Sequence, residues 1–358
     1  MALTVVLAGG GTGGHISPAL ALAQTIRRRE PTANLRFIGT ERGLERAHVP
    51  AAGFPLDVVP SRQVLGRGLA ARIAALFIAL LGIVRALSLL RSARPALVIG
   101  VGGYASVPTV AAARLLRIPT VLLEPDAFPG RANRLLARFA QRVFVQFETA
   151  LDYLPQGRGL ITGLPVRELP KRCEAPNTGE VHLVITGGSQ GARSINRAVG
   201  LALPELSARA KLRITHQTGP AHIDEVREAY RAAGVDADVE AFFDELPSLI
   251  ANADLVLARA GANTCAELCA GHTPSILVPY PYAANDHQTA NARELERAGA
   301  CVLIPDAELD ARLTDEILAL VGSPERRREM AHAASGCAHP DAADRIWDEC
   351  VALIGARS

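Results

Sequence analysis

The chain has 358 residues, of which 49% are hydrophobic and 21% are charged. Single cores stop growing at about 250 to 300 residues, so a chain of this length predicts two domains. The formal net charge of +2 excludes a global electrostatic field that would attract nucleic acid, and any basic surface must be a local patch. We therefore expect no nucleic-acid partner.

Apolar, β-branched runs alternate with helical patterns along the whole chain. They occur at 3–8, 35–39, 96–101, 120–123 and 142–147, and again at 181–186, 212–217, 255–258, 275–278 and 300–304. This alternation is typical of parallel sheets with crossover helices. A stretch from Gly163 to Gly179, rich in proline and charge, separates the two halves and predicts a linker.

Each half opens with a strand of the buried type, a glycine cluster and a helix. The two sequences are VVLAGGGTGGH at Val5–His15 and LVITGGSQGAR at Leu183–Arg193. Glycines after a strand let a phosphate approach the unpaired N–H groups of a helix start, so both loops are candidate anion sites. Ligands of parallel sheets bind beyond the carboxyl ends of the strands, and we expect both loops to face one interdomain cleft. A tight turn without a ligand is the alternative for each loop.

Gly9, Gly11 and Gly14 also satisfy G-x-G-x-x-G, the fingerprint of dinucleotide binding. Glu41 could then serve as the ribose carboxylate, but it lies beyond a Gly-Thr turn, and the second glycine loop lacks the pattern. No P-loop sequence occurs, which argues against an NTPase of that class. An oxidoreductase that uses a nicotinamide or flavin dinucleotide is the alternative enzyme class.

His15 occupies the first turn of the helix that follows the first glycine loop. The positive end of the helix dipole disfavours an imidazolium, so His15 should stay neutral and able to accept a proton. It is therefore a candidate general base. The alternative is a histidine that only hydrogen-bonds the neighbouring loop backbone.

Two helix starts in the second half carry hydrogen-bonding side chains. In RAGANTCAE at Arg259–Glu267, Thr264 and Glu267 predict a capping box, and a carboxylate at Glu267 would also suit two adjacent hydroxyls of a ribose. The second helix start carries four side chains that suit sugar hydroxyls: Asp286, His287, Gln288 and Asn291. A polar helix start capped by Asn285 or Asp286 is the alternative there.

Six cysteines lie at positions 173, 265, 269, 301, 337 and 350, without a paired zinc spacing, which predicts reduced cytosolic thiols. Cys265 and Cys269 are four residues apart on a predicted helix, where we expect them to pack rather than bind a metal. The triplet Asp236-Ala237-Asp238 resembles the D-x-D of metal-dependent sugar transferases, but its polar setting favours a solvated loop. We expect no metal site.

Leu69–Leu90 is the most apolar segment. Its residues Ile73, Leu76, Phe77, Leu80, Leu81 and Val84 form one helical face. The uninterrupted run 73–84 is shorter than the about 20 residues that span a bilayer. Arginines at 62, 67, 72, 85, 91 and 94 predict peripheral contact with an anionic membrane, at about 1 kcal/mol each. A buried core helix is the alternative.

Several longer motifs follow one another along nearly the whole chain. They are GGGTGGHISPALALA, GVGGYAS, EPDAFPGRANRLLA, GLPVR, GGSQGARSIN, HQTG, RAGANTCAE and DHQTANAR. In this order they resemble the MurG family of peptidoglycan glycosyltransferases. The resemblance implies an α/β GT-B fold, with two Rossmann-like domains whose parallel sheets face a central cleft.

The resemblance also implies what each domain does. Residues 1–162 would form an acceptor-binding, membrane-associating domain, with a last helix at about 341–358 packing back on it, and residues 163–340 would bind UDP-GlcNAc. The activity implied is an inverting transfer of N-acetylglucosamine from UDP-GlcNAc to the C4 hydroxyl of N-acetylmuramic acid in lipid I, giving lipid II without metal or cofactor. Peripheral attachment at the cytoplasmic face of the plasma membrane is implied as well.

The sequence departs from the family's motifs at Leu123, Pro125, Asp126 and Ala260. Because most of these positions belong to the acceptor side, a related GT-B transferase with another lipid-linked or free acceptor is the alternative.

By position in the motifs, the resemblance implies three sets of site residues. The catalytic candidates are His15 as the base, with Glu124 and Asp126 as alternatives. The donor ligands are Thr12, Gly13, Gly14, Arg167, Ser189, Gln190, Gly191, Phe243, Arg259, Glu267, His287 and Gln288. The acceptor ligands are Tyr104, Asp126 and Asn133. Within the donor set, the backbone of Phe243 is expected to meet the uracil, and Glu267 the ribose.

Overall fold

The computed structural model describes residues 3–11, 13–41, 43–61, 69–103, 106–167, 169 and 179–356, with the backbone alone at 13 and 69–75. The chain forms two compact units, which we call unit 1 (Met1–Arg167 with Pro340–Ser358) and unit 2 (Glu168–His339). Each unit is built on one parallel sheet. The Thr12 and Tyr104 of the expected site, and Cys173, lie outside the described residues.

Unit 1 contains the strands β1 (Thr4–Gly9), β2 (Asn34–Gly39), β3 (Leu56–Val58), β4 (Leu97–Gly102), β5 (Thr120–Glu124), β6 (Arg142–Val145) and β7 (Gly159–Ile161). Its helices are α1 (Gly13–Arg29), α2 (Glu45–Ala51), α3 (Leu69–Ala93), α4 (Ser106–Leu115), α5 (Arg131–Leu136) and α13 (Ala342–Gly355), with a 3₁₀ helix at Glu148–Tyr153. The strand order is β3-β2-β1-β4-β5-β6-β7, and every pairing is parallel.

Unit 2 contains the strands β8 (Val181–Thr186), β9 (Leu212–Gln217), β10 (Asp238–Glu240), β11 (Leu255–Ala258), β12 (Ser275–Leu277) and β13 (Cys301–Leu303). Its helices are α6 (Arg193–Arg209), α7 (Ile223–Ala232), α8 (Leu246–Asn252), α9 (Ala262–Ala270), α10 (His287–Arg297), α11 (Leu309–Val321) and α12 (Pro324–Gly336), with 3₁₀ helices at Ala284–Asp286 and Asp306–Glu308. The order is β10-β9-β8-β11-β12-β13, again parallel throughout.

The strand order reverses beside the first strand of each unit. In unit 1, β1 lies between β2 and β4, and in unit 2, β8 lies between β9 and β11. The crevice at such a reversal, beyond the carboxyl ends of the strands, is where doubly wound sheets bind ligands. Both glycine loops follow the strand at this position, as the sequence predicts.

The ten apolar runs predicted as strands all overlap strands of the two sheets. The ten runs do not cover β3, β7 and β10, which have three residues each and lie at edges of the two sheets. An edge strand pairs on one side only, so a short segment without a clear apolar pattern is enough to form it.

The unit 1 sheet packs helices on both of its faces. Val5 and Leu7 belong to a core that also contains Trp347 of α13, whereas Val6 and Ala8 pack with residues of α3 and α4. Trp347 is fully buried. The helix α13 is therefore part of the unit 1 core, although it is the last helix of the chain.

The helix α3 is longer than the apolar run that the sequence analysis considered. Its segment Leu76–Ala93 has a mean hydropathy of 1.8, is 17% buried, and is long and apolar enough by composition to cross a membrane. The helix continues beyond the uninterrupted run 73–84, through Arg85 and Arg91 to residue 93. One side of α3 packs on unit 1 through Ala86 and Leu90, which are almost completely buried.

We expect Trp347→Ala to destabilise unit 1 by about 3 to 5 kcal/mol, because the substitution removes a buried indole and leaves a cavity. Calorimetry should show a lowered Tm. Val351→Ala on the same helix is the control, since Val351 is 42% exposed. An unchanged Tm for Trp347→Ala would show that α13 adds little to the core.

Candidate active site

The loop after β8 is a tight glycine turn supported by Gln217. A Cβ on Gly191 would lie 1.9 Å from the carbonyl oxygen of Thr218, so only glycine fits where these two loops touch. At the end of β9, the Gln217 side chain donates to the carbonyl of Gly188 (3.1 Å) and accepts the N–H of Phe243 (2.9 Å). Gln217 thus joins the glycine loop to the segment that follows β10.

A pocket of about 890 Å³ lies in unit 2 at the carboxyl ends of its central strands. Its lining includes Gly187, Gly188, Gln190, Gly191, Arg193, Ser194, Arg197, Arg259, Gly261, Thr264, Tyr280, Tyr282, Gln288 and Asp306. The glycine loop leads directly into α6, whose first N–H groups and dipole favour an anion. Together with the three arginines, this arrangement suits a ligand that carries a diphosphate.

Arg259 is held in the pocket wall by a network of hydrogen bonds. Its Nη1 donates to Asp306 (2.6 Å) and to the carbonyls of Val278 and Pro279 (3.1 Å each). Its Nη2 donates to Ser194 Oγ (2.7 Å), and that hydroxyl donates to the same Asp306 oxygen (2.7 Å). Since the Arg259 side chain is only 12% exposed, its position is fixed before any ligand arrives.

Four of the expected donor ligands line the unit 2 pocket: Gln190, Gly191, Arg259 and Gln288. Gln288 accepts the N–H of Tyr280 through Oε1 (2.9 Å), which leaves its amide N–H groups to a ligand. Ser189 is exposed next to the lining. Glu267 is half-buried on α9, and His287 is half-buried with Nδ1 2.8 Å from the Ala284 carbonyl oxygen. The other described donor candidates, Gly13, Gly14 and Arg167, belong to unit 1.

The backbone of Phe243 makes two hydrogen bonds within unit 2. The N–H of Phe243 donates to Gln217 (2.9 Å), and its carbonyl accepts the N–H of Leu246 (3.3 Å). The carbonyl oxygen can accept a second hydrogen bond, so the contact of the Phe243 backbone with uracil stays a prediction.

The predicted capping box at Thr264 and Glu267 is wrong. The helix α9 begins at Ala262, its N-cap is Gly261, and no side chain caps it. Thr264 is thus the third residue of the helix, where it lines the pocket.

The second polar helix start also differs from expectation. Asp286 is the N-cap of α10, but its carboxylate accepts the Thr289 hydroxyl (2.6 Å) rather than a backbone N–H. Asn291 is completely buried and donates to the carbonyl of Ala260 (3.2 Å), so it holds two elements together and does not face the pocket.

The glycine loop of unit 1 already holds a carboxylate of the chain itself. Glu45 is completely buried and accepts the N–H groups of Gly11 (2.8 Å) and Thr40 (2.7 Å). Burial raises the pKa of Glu45, but these N–H donors outweigh it and keep the pKa below its ordinary value. A Cβ on Gly10 would lie 2.2 Å from the carboxylate. The pattern G-x-G-x-x-G therefore surrounds an internal anion, and Glu41, its expected ribose partner, is exposed.

His15 packs against the end of β4. A Cβ on Gly102 would lie 2.3 Å from Cδ2 and 2.7 Å from Nε2 of the imidazole. Gly102 also has a φ of 92°, which favours glycine. Gly102, in the motif GVGGYAS, therefore leaves space for the His15 ring.

Glu124 organises the turn that follows β5. It is 2% exposed and accepts the N–H groups of Asp126 (3.1 Å) and Gly130 (3.2 Å) and the side-chain amide of Asn133 (2.9 Å). Burial, followed by the charge of Asp126, raises the pKa of Glu124 to about 8. These contacts fit a structural carboxyl better than the alternative base that the sequence proposed. Asp126 is half-buried, and Asn133 Oδ1 has no partner among the described residues.

Sequence reasoning assigned no role to Gln217, Asp306 or Glu45. Gln217 is the last residue of β9, at the carboxyl ends of the strands where parallel sheets bind ligands. It also lies in the motif HQTG. That position is a usable signal, because a buried polar side chain at a strand's carboxyl end must find hydrogen-bond partners there. No comparable local signal marks Asp306 or Glu45, because Asp306 bonds to Arg259 and Glu45 to Gly11, which are distant along the chain.

Both halves of the chain match known domains. The glycosyltransferase family 28 N-terminal domain matches residues 5–145, and the family's C-terminal domain matches residues 182–346. A UDP-N-acetylglucosamine--N-acetylmuramyl-(pentapeptide) pyrophosphoryl-undecaprenol N-acetylglucosamine transferase of Anaeromyxobacter dehalogenans is 41% identical, over 99% of this chain and 94% of its own. The transferase of the same name from Geobacter sulfurreducens is 40% identical, over 98% of both chains.

The crystal structure of Acinetobacter baumannii MurG covers 97% of this chain and 98% of its own, with a TM-score of 0.81 and 27% identity. The chain belongs to the MurG family. The assignment drawn from the motifs is thus confirmed, and so is the prediction of two parallel-sheet α/β domains in a GT-B-like fold. A MurG-family protein is a glycosyltransferase, which replaces the oxidoreductase alternative.

We expect Glu124→Gln to change how stability depends on pH. The folded-state pKa of about 8 lies above the ordinary 4.5. Ionisation therefore costs the wild type up to about 1.4 kcal/mol per pH unit as the pH rises toward the folded-state pKa. The Tm of Glu124→Gln should rise relative to wild type from about pH 4.5 to about pH 8 and level off above, because the variant has no proton to lose. Glu148→Gln, at an exposed site of unit 1, should show no such trend. A Tm difference that stays constant with pH would contradict this role of Glu124.

Proposed function

We propose that the pocket of unit 2 binds UDP-GlcNAc and that the chain transfers its N-acetylglucosamine to the C4 hydroxyl of N-acetylmuramic acid in lipid I, giving lipid II. The observation that carries the proposal is the pocket of about 890 Å³, which combines a glycine loop, a helix start and a fixed arginine. The relatives that are about 40% identical are named for this transfer.

The donor diphosphate would lie against the loop Gly187–Gly191. The N–H groups there, the start of α6 and Arg259 supply positive potential for the charge that develops as UDP leaves. Gln288 has amide N–H groups for a sugar hydroxyl, and Thr264 has a hydroxyl in the same lining. These residues would hold the donor in place before the transfer.

We assign the acceptor and the base to unit 1. The C4 hydroxyl oxygen attacks C1 of the sugar, the bond from C1 to the diphosphate oxygen breaks, and UDP leaves with the electron pair. His15 takes the hydroxyl proton, which a neutral imidazole at a helix start can do. Attack opposite the leaving group inverts C1. Asp126, Asn133 and Tyr104 would contact the acceptor.

An exposed apolar surface on unit 1 supports the proposal of a membrane-bound acceptor. The exposed face of α3 carries Leu76, Phe77, Leu80, Leu81 and Val84, which are 45–64% exposed. Exposed apolar side chains continue on and after the next two helices, at Leu115, Leu135 and Phe139. Arginines border these residues at 114, 117, 138 and 158. We propose that this surface rests on the anionic lipids at the cytoplasmic face of the plasma membrane.

The proposal predicts transfer of labelled N-acetylglucosamine from UDP-GlcNAc to a lipid I analogue. We expect His15→Ala to lower kcat at least a hundredfold, the typical contribution of a general base, and to leave the Kd for UDP nearly unchanged. Transfer should persist with a chelator, because residues of the chain supply the positive charge.

His48→Ala is the matched control, since His48 is an exposed histidine of unit 1. Full transfer by His15→Ala would remove His15 from the role of base. Binding of UDP without transfer to the lipid I analogue by the wild type would instead show that the acceptor is different.

We expect Phe77→Asp combined with Leu80→Asp to weaken binding to vesicles that contain anionic phospholipid by at least about tenfold, because two large apolar side chains no longer enter the lipid. Vesicle sedimentation measures the effect. Leu201→Asp is the control, because Leu201 is 65% exposed but lies in unit 2. Equal loss in both variants would indicate that the α3 surface has no special affinity for lipid.

A further inference from the structure

Unit 2 contains a group of neighbouring cysteines that the transfer reaction does not use. Cys265 and Cys269 lie one turn apart on α9, Cys301 begins β13, and Cys337 directly follows α12. All four are free thiols, and they are close enough to influence one another's ionisation. Within the described ranges, no group of three or more His, Cys, Asp or Glu side chains could hold a metal ion.

Two of these thiols are in direct contact. Cys269 and Cys337 share a hydrogen bond between their side chains. Cys301 is directed elsewhere, because its thiol donates to the carbonyl of Ala292 (3.5 Å). Cys269 is 3% exposed, whereas Cys337 is only partly buried. The pair therefore has one thiol that a small reagent can reach and one that is protected behind it.

We propose that Cys269 and Cys337 are a redox modification site, at which a peroxide converts the two thiols into a reversible disulfide. The proposal rests on their contact and their unequal access, and it is independent of the proposed transfer reaction.

The surroundings make Cys337 the attacking thiol. The hydrogen bond from Cys269 lowers the pKa of Cys337 to about 7, against the opposing effects of burial and of Glu294 on α10. The pKa of Cys269 is raised well above its ordinary value, first by its hydrogen bond with Cys337 and then by burial and the neighbouring thiols. The thiolate is the nucleophilic form of cysteine, so the opposite directions of the two pKa shifts favour Cys337 over Cys269 as the attacking thiol.

The reaction balances with hydrogen peroxide as the only oxidant. The Cys337 thiolate attacks one peroxide oxygen, the O–O bond breaks, and hydroxide leaves with a proton as water, giving a sulfenic acid. The sulfur of Cys269 then attacks the sulfenic sulfur and loses its proton, the S–O bond breaks, and a second water leaves. Two thiols and one peroxide become one disulfide and two waters.

The position of the disulfide gives it a structural consequence. It would link α9, whose first turn lines the unit 2 pocket, to the residue two positions before His339, where the chain leaves unit 2. The segment that leads out of unit 2 would then be tied covalently to the pocket helix.

The test treats the reduced full-length protein with hydrogen peroxide near neutral pH, followed by differential alkylation and peptide mass spectrometry. We expect the Cys269 and Cys337 peptides to be linked, two of the six thiols to be lost, and dithiothreitol to restore them. Loss of the thiols should be at least about tenfold slower in Cys337→Ser and in Cys269→Ser.

Cys265→Ala is the matched control, because it removes a buried thiol one turn away on α9 and should leave the disulfide intact. The Tm of each variant shows whether it folds. Three results would overturn the proposal: linkage of a different pair in the wild type, unchanged loss of two thiols in Cys337→Ser, or oxidation of Cys337 to sulfinic acid without a disulfide.

Discussion

The candidate donor site depends on the close approach of two backbone loops. Gly191 lies so near the Thr218 carbonyl that a methyl group on Gly191 would overlap it. The Gln217 side chain also donates a hydrogen bond to the Gly188 carbonyl of the glycine loop. Because these contacts fix the loop, its N–H groups and the start of α6 keep their positions in the lining of the unit 2 pocket. Positive potential that is oriented before the ligand binds costs no reorganisation when charge develops. The fixed Arg259, held by Asp306 and Ser194, follows the same principle.

The two glycine loops are similar in sequence, but their backbones have different surroundings. In unit 2 the loop lines an open pocket, whereas in unit 1 it closes on the carboxylate of Glu45. A glycine-rich loop after a strand therefore indicates that another group lies close to the loop backbone. It does not show whether that group belongs to a ligand or to the chain itself.

The residues around His15 show how an apparently catalytic group is placed by its neighbours. The absence of a side chain at Gly102 leaves room for the imidazole, and Glu124 holds the turn that carries Asp126. These observations favour a structural role for Glu124 over a role as the base. Burial raises its pKa to about 8, and it accepts the backbone N–H groups of Asp126 and Gly130.

The sequence alone determined the alternation of strands and helices, the positions of both glycine loops and membership of the MurG family, because these depend on local periodicity and on ordered motifs. It could not distinguish Gln190 and Gln288, which line the pocket, from Asn291, which is buried and donates to the carbonyl of Ala260. Only the tertiary structure decided that Glu45 fills the first loop and that Asp306 and Ser194 hold Arg259. The physical reason is distance along the chain: these hydrogen bonds join residues 34 to 112 positions apart, and no local pattern encodes such pairs.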